Sequence, residues 1–166
     1  MNYRDHIITI TQDDCPENPR KQFDHEGTMF CWHRRYTLGD VQPAESPNEW
    51  FQANKDDGIV LPLYLYDHSG LTISTKPFEC PWDSGQVGWI HMDAETIRRE
   101  FGGDEGDAEK CLLAEVHEYD MYLQGNVYYY EICDSDGNHV DSCGGLYGYD
   151  YCERSAKESL DTILGW

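Results

Sequence analysis

The sequence predicts a single α+β domain over residues 1–166, a largely antiparallel sheet packed with three to four helices. Three observations carry that expectation. Strand-like segments punctuated by Gly, Pro and Asp dominate the first 92 residues. Helical periodicity is concentrated after Asp93. The resulting order is five strands, two helices, a hairpin and a last helix, with one short helix inside the strand-rich part. At 166 residues, with 39% hydrophobic and 13% aromatic side chains, the chain can bury roughly two thirds of its unfolded surface.

Tyr3 to Thr11 alternates loosely and is rich in Ile and Thr, which reads as an opening strand. Gln12 to Gly27 has two prolines and no periodicity, and reads as a loop. Thr28 to Tyr36 reads as a strand with Met29, Cys31, His33 and Arg35 on one face. Its other face carries Phe30, Trp32, Arg34 and Tyr36. Ser46, then Pro47, with Glu49 three residues on, predicts a capped helix over 47–54.

The stretch around which the rest is organised runs from Ile59 to Met92. It holds the longest apolar run, Ile59 to Tyr66, then strands over Leu71–Thr75 and Val87–Met92 separated by Cys80-Pro81-Trp82-Asp83-Ser84-Gly85. Asp93 caps a helix over 94–101 that Gly102-Gly103 stops. A longer helix over 107–124 carries a buried stripe of Leu112, Val116, Tyr119 and Leu123, which turns Glu115, Glu118 and Tyr122 outward. Asn126–Cys133 and His139–Cys143 flank the turn Asp134-Ser135-Asp136-Gly137-Asn138 as a hairpin. Gly144 to Tyr149 reads as a loop, and Asp150–Leu164 as the last helix.

Charge is the outlier. There are 32 Asp and Glu against 12 Lys and Arg, a net charge of −20. Residues 103–166 carry 15 acidic and 3 basic side chains, net −12, so the acid concentrates toward the C-terminus. Such a field repels nucleic acid and anionic membranes and attracts basic partners. Solubility or a halophilic source would explain the same charge, although seven cysteines and twelve tyrosines fit a halophile poorly. The odd cysteine count, an N-terminus without a signal-peptide layout, and no apolar run near the ~18 residues of a membrane span lead to the expectation of a soluble, intracellular protein with reduced thiols.

Four constellations are candidates for function. Cys80 or Ser84 with His33 or His68 and Asp67 or Asp83 holds the ingredients of a nucleophilic triad, but there is no Gly-x-Ser-x-Gly elbow. A rigid, partly buried loop at Cys80-Pro81-Trp82, followed by an Asx turn at Asp83-Ser84-Gly85, accounts for the same residues. Cys31 with His33, and Cys133, His139, Cys143 and Cys152, are metal-ligand types, yet no Cys-x-x-Cys pair accompanies them. Asp134-x-Asp136-Gly137 lacks the bidentate Glu of a calcium loop and reads better as a turn. Neither a metal nor a cofactor is expected. His33-Arg34-Arg35 is the densest cationic point and suits a phosphate or carboxylate, unless neighbouring acids neutralise it.

The fourth candidate is the acidic surface. Carboxylates at i, i+3 and i+4 of a helix lie ~5–6 Å apart, close to the spacing of successive phosphates on one DNA strand. Asp104, Glu105, Asp107, Glu109, Glu115, Glu118 and Asp120 supply such a row. Asp134, Asp136, Asp141, Asp150, Glu153, Glu158 and Asp161 extend it. An ordinary solvated helix face is the plainer account.

CWHRRYTLGD, LPLYLYDHSG, CPWDSGQVGWI and VDSCGGLYG together resemble a group of small acidic proteins carried by phages and mobile elements, over about a quarter of the chain. The resemblance brings no active site with it. It implies a gene carried by an invader, and hence a counter-defence inhibitor of the anti-restriction or anti-CRISPR kind. Such an inhibitor would bind a basic host protein or nucleoprotein complex through a DNA-mimicking surface of Asp104, Glu105, Asp107, Glu109, Glu115, Glu118, Asp120, Asp134 and Asp136. It would touch neither nucleic acid nor membrane directly, and a homodimer is compatible with it. The alternative is a small enzyme or ligand-binding domain whose pocket is built by His33, Arg35, Asp67, His68, Cys80 and Asp83.

Overall fold

Eight strands pair antiparallel in two four-stranded sheets, with five helices, in a computed structural model that describes residues 1–166. The class is α+β, as the element pattern predicts. The strands are divided between two sheets instead of sharing one. The chain forms two compact units, Asn18–Leu123 and a second built from Met1–Glu17 with Gln124–Trp166.

In the unit of residues 18–123, the sheet consists of β3 (Thr28–Cys31), β4 (Ile59–Asp67), β5 (Leu71–Ser74) and β6 (Ser84–Met92), in the order β3-β6-β4-β5. One sheet face supplies Met29, Cys31, Leu63, Ile73, Ile90 and Met92 to the core. Against it pack Ile97 of α3 (Ala94–Phe101) and Ala108, Leu112, Val116 and Tyr119 of α4 (Glu105–Leu123). Leu112, Val116 and Tyr119 of the stripe read from the sequence are buried, Leu123 lies at its margin, and Tyr122, expected outward, packs against the core as well. Gly88 is needed where β6 passes β3, because a Cβ there would run into the Phe30 carbonyl.

The opposite sheet face is aromatic. Phe30, Trp89 and His91 project from it, and α2 (Pro47–Asn54) lays Trp50 and Phe51 over them. Trp50 stacks on Trp89 with centroids 5.6 Å apart, and Trp32 meets both edge-on. The α2 entry is the capping box that the sequence predicts, Ser46 and Glu49 bonding each other's backbone N–H. Asp93 likewise caps α3, and Gly102 ends it in the left-handed conformation.

Two segments depart from expectation here. Gln12–Gly27 is not wholly loop, because Asn18 caps a one-turn helix, α1 (Pro19–Gln22). The strand expected over 28–36 stops at Cys31. Beyond it, Nδ1 of His33 accepts the backbone N–H groups of Arg35 and Tyr36, both at 3.2 Å. A side chain that takes up backbone donors in this way competes with the strand ladder and turns the chain.

In the other unit, β1 (Asn2–Tyr3), β2 (His6–Gln12), β7 (Val127–Cys133) and β8 (His139–Tyr147) form a sheet in that order. The opening strand is thus a small hairpin, turned at Arg4 and Asp5, both with positive φ. Helix α5 (Tyr149–Leu164) buries Cys152, Ala156 and Leu160 against Ile8, Tyr130 and Ile132. The segment expected to be a loop from Gly144 continues as β8 to Tyr147, which pairs with Val127. Asp134 Oδ1 accepts from the backbone of Asp136 and Asn138, a turn built from its own side chain rather than a calcium loop.

No helix is long and apolar enough to cross a membrane.

Candidate functional site

The acidic row along α4 breaks up when its side chains are followed one by one. Glu115 is only 8% exposed, not outward. It lies against Arg20, whose Nη1 donates to its Oε2 at 2.8 Å, while its Oε1 accepts the backbone N–H of Glu26 and Gly27. Arg20 also grips Asp40 through Nε and Nη2, at 2.9 and 2.5 Å. Burial acts to lower the Arg20 pKa, but its bonds to Asp40 and then Glu115 outweigh this and raise it overall. The helix spacing put Glu115 on a solvent face because nothing in α4 itself announces the arginine 95 residues upstream.

The neighbouring carboxylates are also employed. Glu118 is half-buried with Oε1 3.2 Å from Nε2 of His25. Asp120 accepts the backbone N–H of Ile73 and so closes the free edge of β5. Asp104 accepts the N–H of Asp107 at the start of α4, and Asp107 pairs with Lys110. Asp104, Glu105 and Asp107 therefore cluster at the positive end of the helix dipole, where acids are favoured whatever the function, and Glu109 follows one turn on. Asp134 and Asp136 sit in the β7–β8 turn of the other unit.

The cationic point and the organising loop converge instead. Trp32, His33, Arg35, Leu65, Asp67, Trp82, Asp83, Ser84, Gly85, Gln86 and Val87 line an open cleft of about 350 Å³. A wider hollow continues from it past Trp32, His33 and Arg35 to Arg34, Gln42 and Pro47. Four of the six pocket residues named from the sequence, His33, Arg35, Asp67 and Asp83, thus line one cavity. The other two do not line it: His68 stands behind Asp83, its Nδ1 3.1 Å from Oδ2, and Cys80 lies beneath Ser84, whose hydroxyl donates to the Cys80 carbonyl.

Each wall has a local cause. The β4–β6 register slips at Leu63/Tyr64, a bulge that falls beside the lining residues Gly85, Gln86 and Val87. The Val87 carbonyl takes the N–H of Trp32 and seats that residue at the rim. Trp32 Nε1 donates to the Glu45 carbonyl, and Trp50 and Trp89 back its ring, so it is held rigidly. Arg35 gives Nη2 to Asp67 at 2.5 Å and lies over the ring of Tyr36, whose hydroxyl also donates to Asp67. With its side chain 70% exposed, Arg35 keeps further N–H donors turned to solvent. His33 stacks on Tyr36, and both bonds at its Nδ1 are accepted ones, which puts the proton of the neutral ring on Nε2.

Trp32, Trp82 and Gly85 were not singled out from the sequence. Trp82, expected in a partly buried loop because a side chain this large is ordinarily well covered, is instead 91% exposed. The available signal was a tryptophan flanked by Pro81 and Asp83, a composition that places a large ring at a loop tip.

Chemically, the cleft offers guanidinium donors, aromatic faces and the free oxygen of Asp83. Neither nucleophile is engaged with a base: His68 is committed to Asp83, and the Ser84 hydroxyl to a backbone carbonyl. No group of three or more His, Cys, Asp or Glu side chains is placed to hold a metal ion, and the cysteines and His139 of the β7–β8 region form no such group. No protein-family model, curated protein or solved structure matches the chain.

Proposed function

We propose that this is a binding protein whose recognition site is the cleft of the 18–123 unit, and that it takes an anionic group on Arg34 and Arg35. One observation carries the reading. Three separate segments bring Arg35, Asp67, Asp83 and two tryptophans to one open cleft, and Arg34 lines the hollow that adjoins it, the densest cationic point of a chain whose net charge is −20. The same three segments, around Trp32, Asp67 and Asp83, are three of the four that carry the resemblance to proteins of phages and mobile elements, so a role in the contest between an invader and its host fits the site. Binding is favoured over catalysis because no nucleophile is hydrogen-bonded to an available base.

The test is calorimetric titration with phosphate, sulfate, acetate and small organic phosphates. Binding of at least one of them should weaken about tenfold or more in Arg34→Ala and in Arg35→Ala, since a charge-assisted bond contributes ~1.5–3 kcal/mol. Absence of binding across the panel would sink the proposal.

A second reading rests on a different observation. The unit of residues 1–17 and 124–166 carries 12 acidic against 3 basic side chains. An acidic surface that blocks a basic defence protein would act from there, through residues such as Glu131, Asp136, Asp150 and Glu158. Its association rate with a basic partner should then fall steeply between 50 and 500 mM salt, where the screening length drops to a few ångströms. A salt-independent rate would exclude it.

A further inference from the structure

The geometry points to a nucleoside monophosphate as the ligand of the cleft. This inference rests on the binding reading above and narrows it to a chemical class. Three features of such a molecule have counterparts in and around the cleft. Its phosphate matches the outward donors of Arg35, with Arg34 in the adjoining hollow. Its base matches the face of Trp82, which is 91% exposed and has no covering residue, with Trp32 held rigidly at the rim. Its sugar hydroxyls or exocyclic amine match acceptors, namely the Asp83 oxygen not engaged by His68 and the backbone around Gly85.

Space permits it. The cavity of about 350 Å³ lies within the range of small-ligand sites, and a Cβ added at Gly85 would meet nothing within 4 Å. Net charge selects the free nucleotide over a strand. Each further phosphate would enter the field of a chain at −20, while the local cations are Arg34 and an Arg35 already paired with Asp67, enough to answer about one added charge.

Titration of the whole protein, followed by calorimetry and tryptophan fluorescence, separates the possibilities. The probes are the four ribonucleoside monophosphates, adenosine, inorganic phosphate, phenyl phosphate and a tetranucleotide, all at 150 mM salt. At least one monophosphate should bind and quench fluorescence, with adenosine and phosphate each weaker by tenfold or more. Trp82→Ala should weaken it roughly 5- to 150-fold, the range of base–aromatic stacking. Trp82→Phe should restore much of that loss. Gly85→Val should fold as the wild type does and weaken binding tenfold or more by narrowing the cleft.

Phosphate binding as well as a nucleotide, with no effect of Trp82→Ala, overturns the nucleotide while leaving an anion site. Phenyl phosphate matching the best nucleotide overturns base and sugar recognition. A tetranucleotide that binds as tightly overturns the free-nucleotide assignment. No binding by any anion overturns the inference together with the reading beneath it.

Discussion

Glu115 shows how one residue changes meaning between helix spacing and fold. Placed outward by its spacing, it is instead one end of a buried ion pair that also satisfies two backbone donors. Glu115→Ala should therefore cost about 3–5 kcal/mol in urea unfolding, because Arg20 would be left partly uncompensated. Glu115→Lys should cost at least as much. A loss below ~1 kcal/mol, the size of an exposed pair, would show that the pair is solvated. The thiols give a second residue-scale prediction. Burial pushes Cys31 up to about 12 and Cys152 up to about 11, whereas Cys15 and Cys143 are exposed. Brief alkylation of the native protein at pH 8, read by peptide mass spectrometry, should label Cys15 and Cys143 and spare Cys31 and Cys152.

At the scale of elements, α2 and β3 matter most, because between them they seat Trp32. Ser46→Ala removes one half of the capping box and should cost about 1 kcal/mol. The tryptophan emission should shift with it, since α2 holds Trp50 over Trp89. Unchanged emission and stability would mean that packing alone fixes this helix. Gly88→Ala tests the sheet itself. Its methyl group would meet the Phe30 carbonyl, so the β3–β6 pairing must shift, at a cost of about 1–3 kcal/mol. Because Trp32 follows directly on β3, the same variant should weaken ligand binding without touching the cleft.

For the whole molecule, two opposed charge effects set the pH dependence. Asp93, Asp134 and Asp141 are held below the usual carboxylate range, chiefly by the Thr96 N–H, the Asn138 side chain and the Ser159 hydroxyl respectively. Their folded pKa values lie below the unfolded value of ~3.9. The stabilisation they give is therefore complete above about pH 4 and is lost as pH falls through the folded values. Self-repulsion runs the other way, easing as the charge of −20 shrinks toward the pI near 4.4. Melting temperature should hold or rise from pH 7 to 5 and fall below about pH 4, with 0.5 M salt flattening the upper part. A fall already evident between pH 7 and 5 at low salt would mean that repulsion is not what the charge mainly does.

Local signals were sufficient for the elements whose causes are local. Ser46 and Glu49, Asp93 with Gly102, the α4 stripe and the Asp134 turn each act over a few residues, so their chemistry can be read in the chain and recurs in the fold. The α+β class follows from their order. Where a distant group intervenes, the sequence is silent. His33 drawing in the backbone of Arg35 and Tyr36 ends a strand whose alternation would have carried it on to residue 36. The pairing of Ile7–Gln12 with Tyr128–Cys133 joins segments more than a hundred residues apart and divides the strands between two sheets. The candidate site was legible as residue types in three segments. That four of its side chains share one cavity, and that Trp82 stands uncovered beside it, is decided by the β4–β6 bulge and the aromatic layer behind Trp32, because those contacts exist only once the sheet has formed.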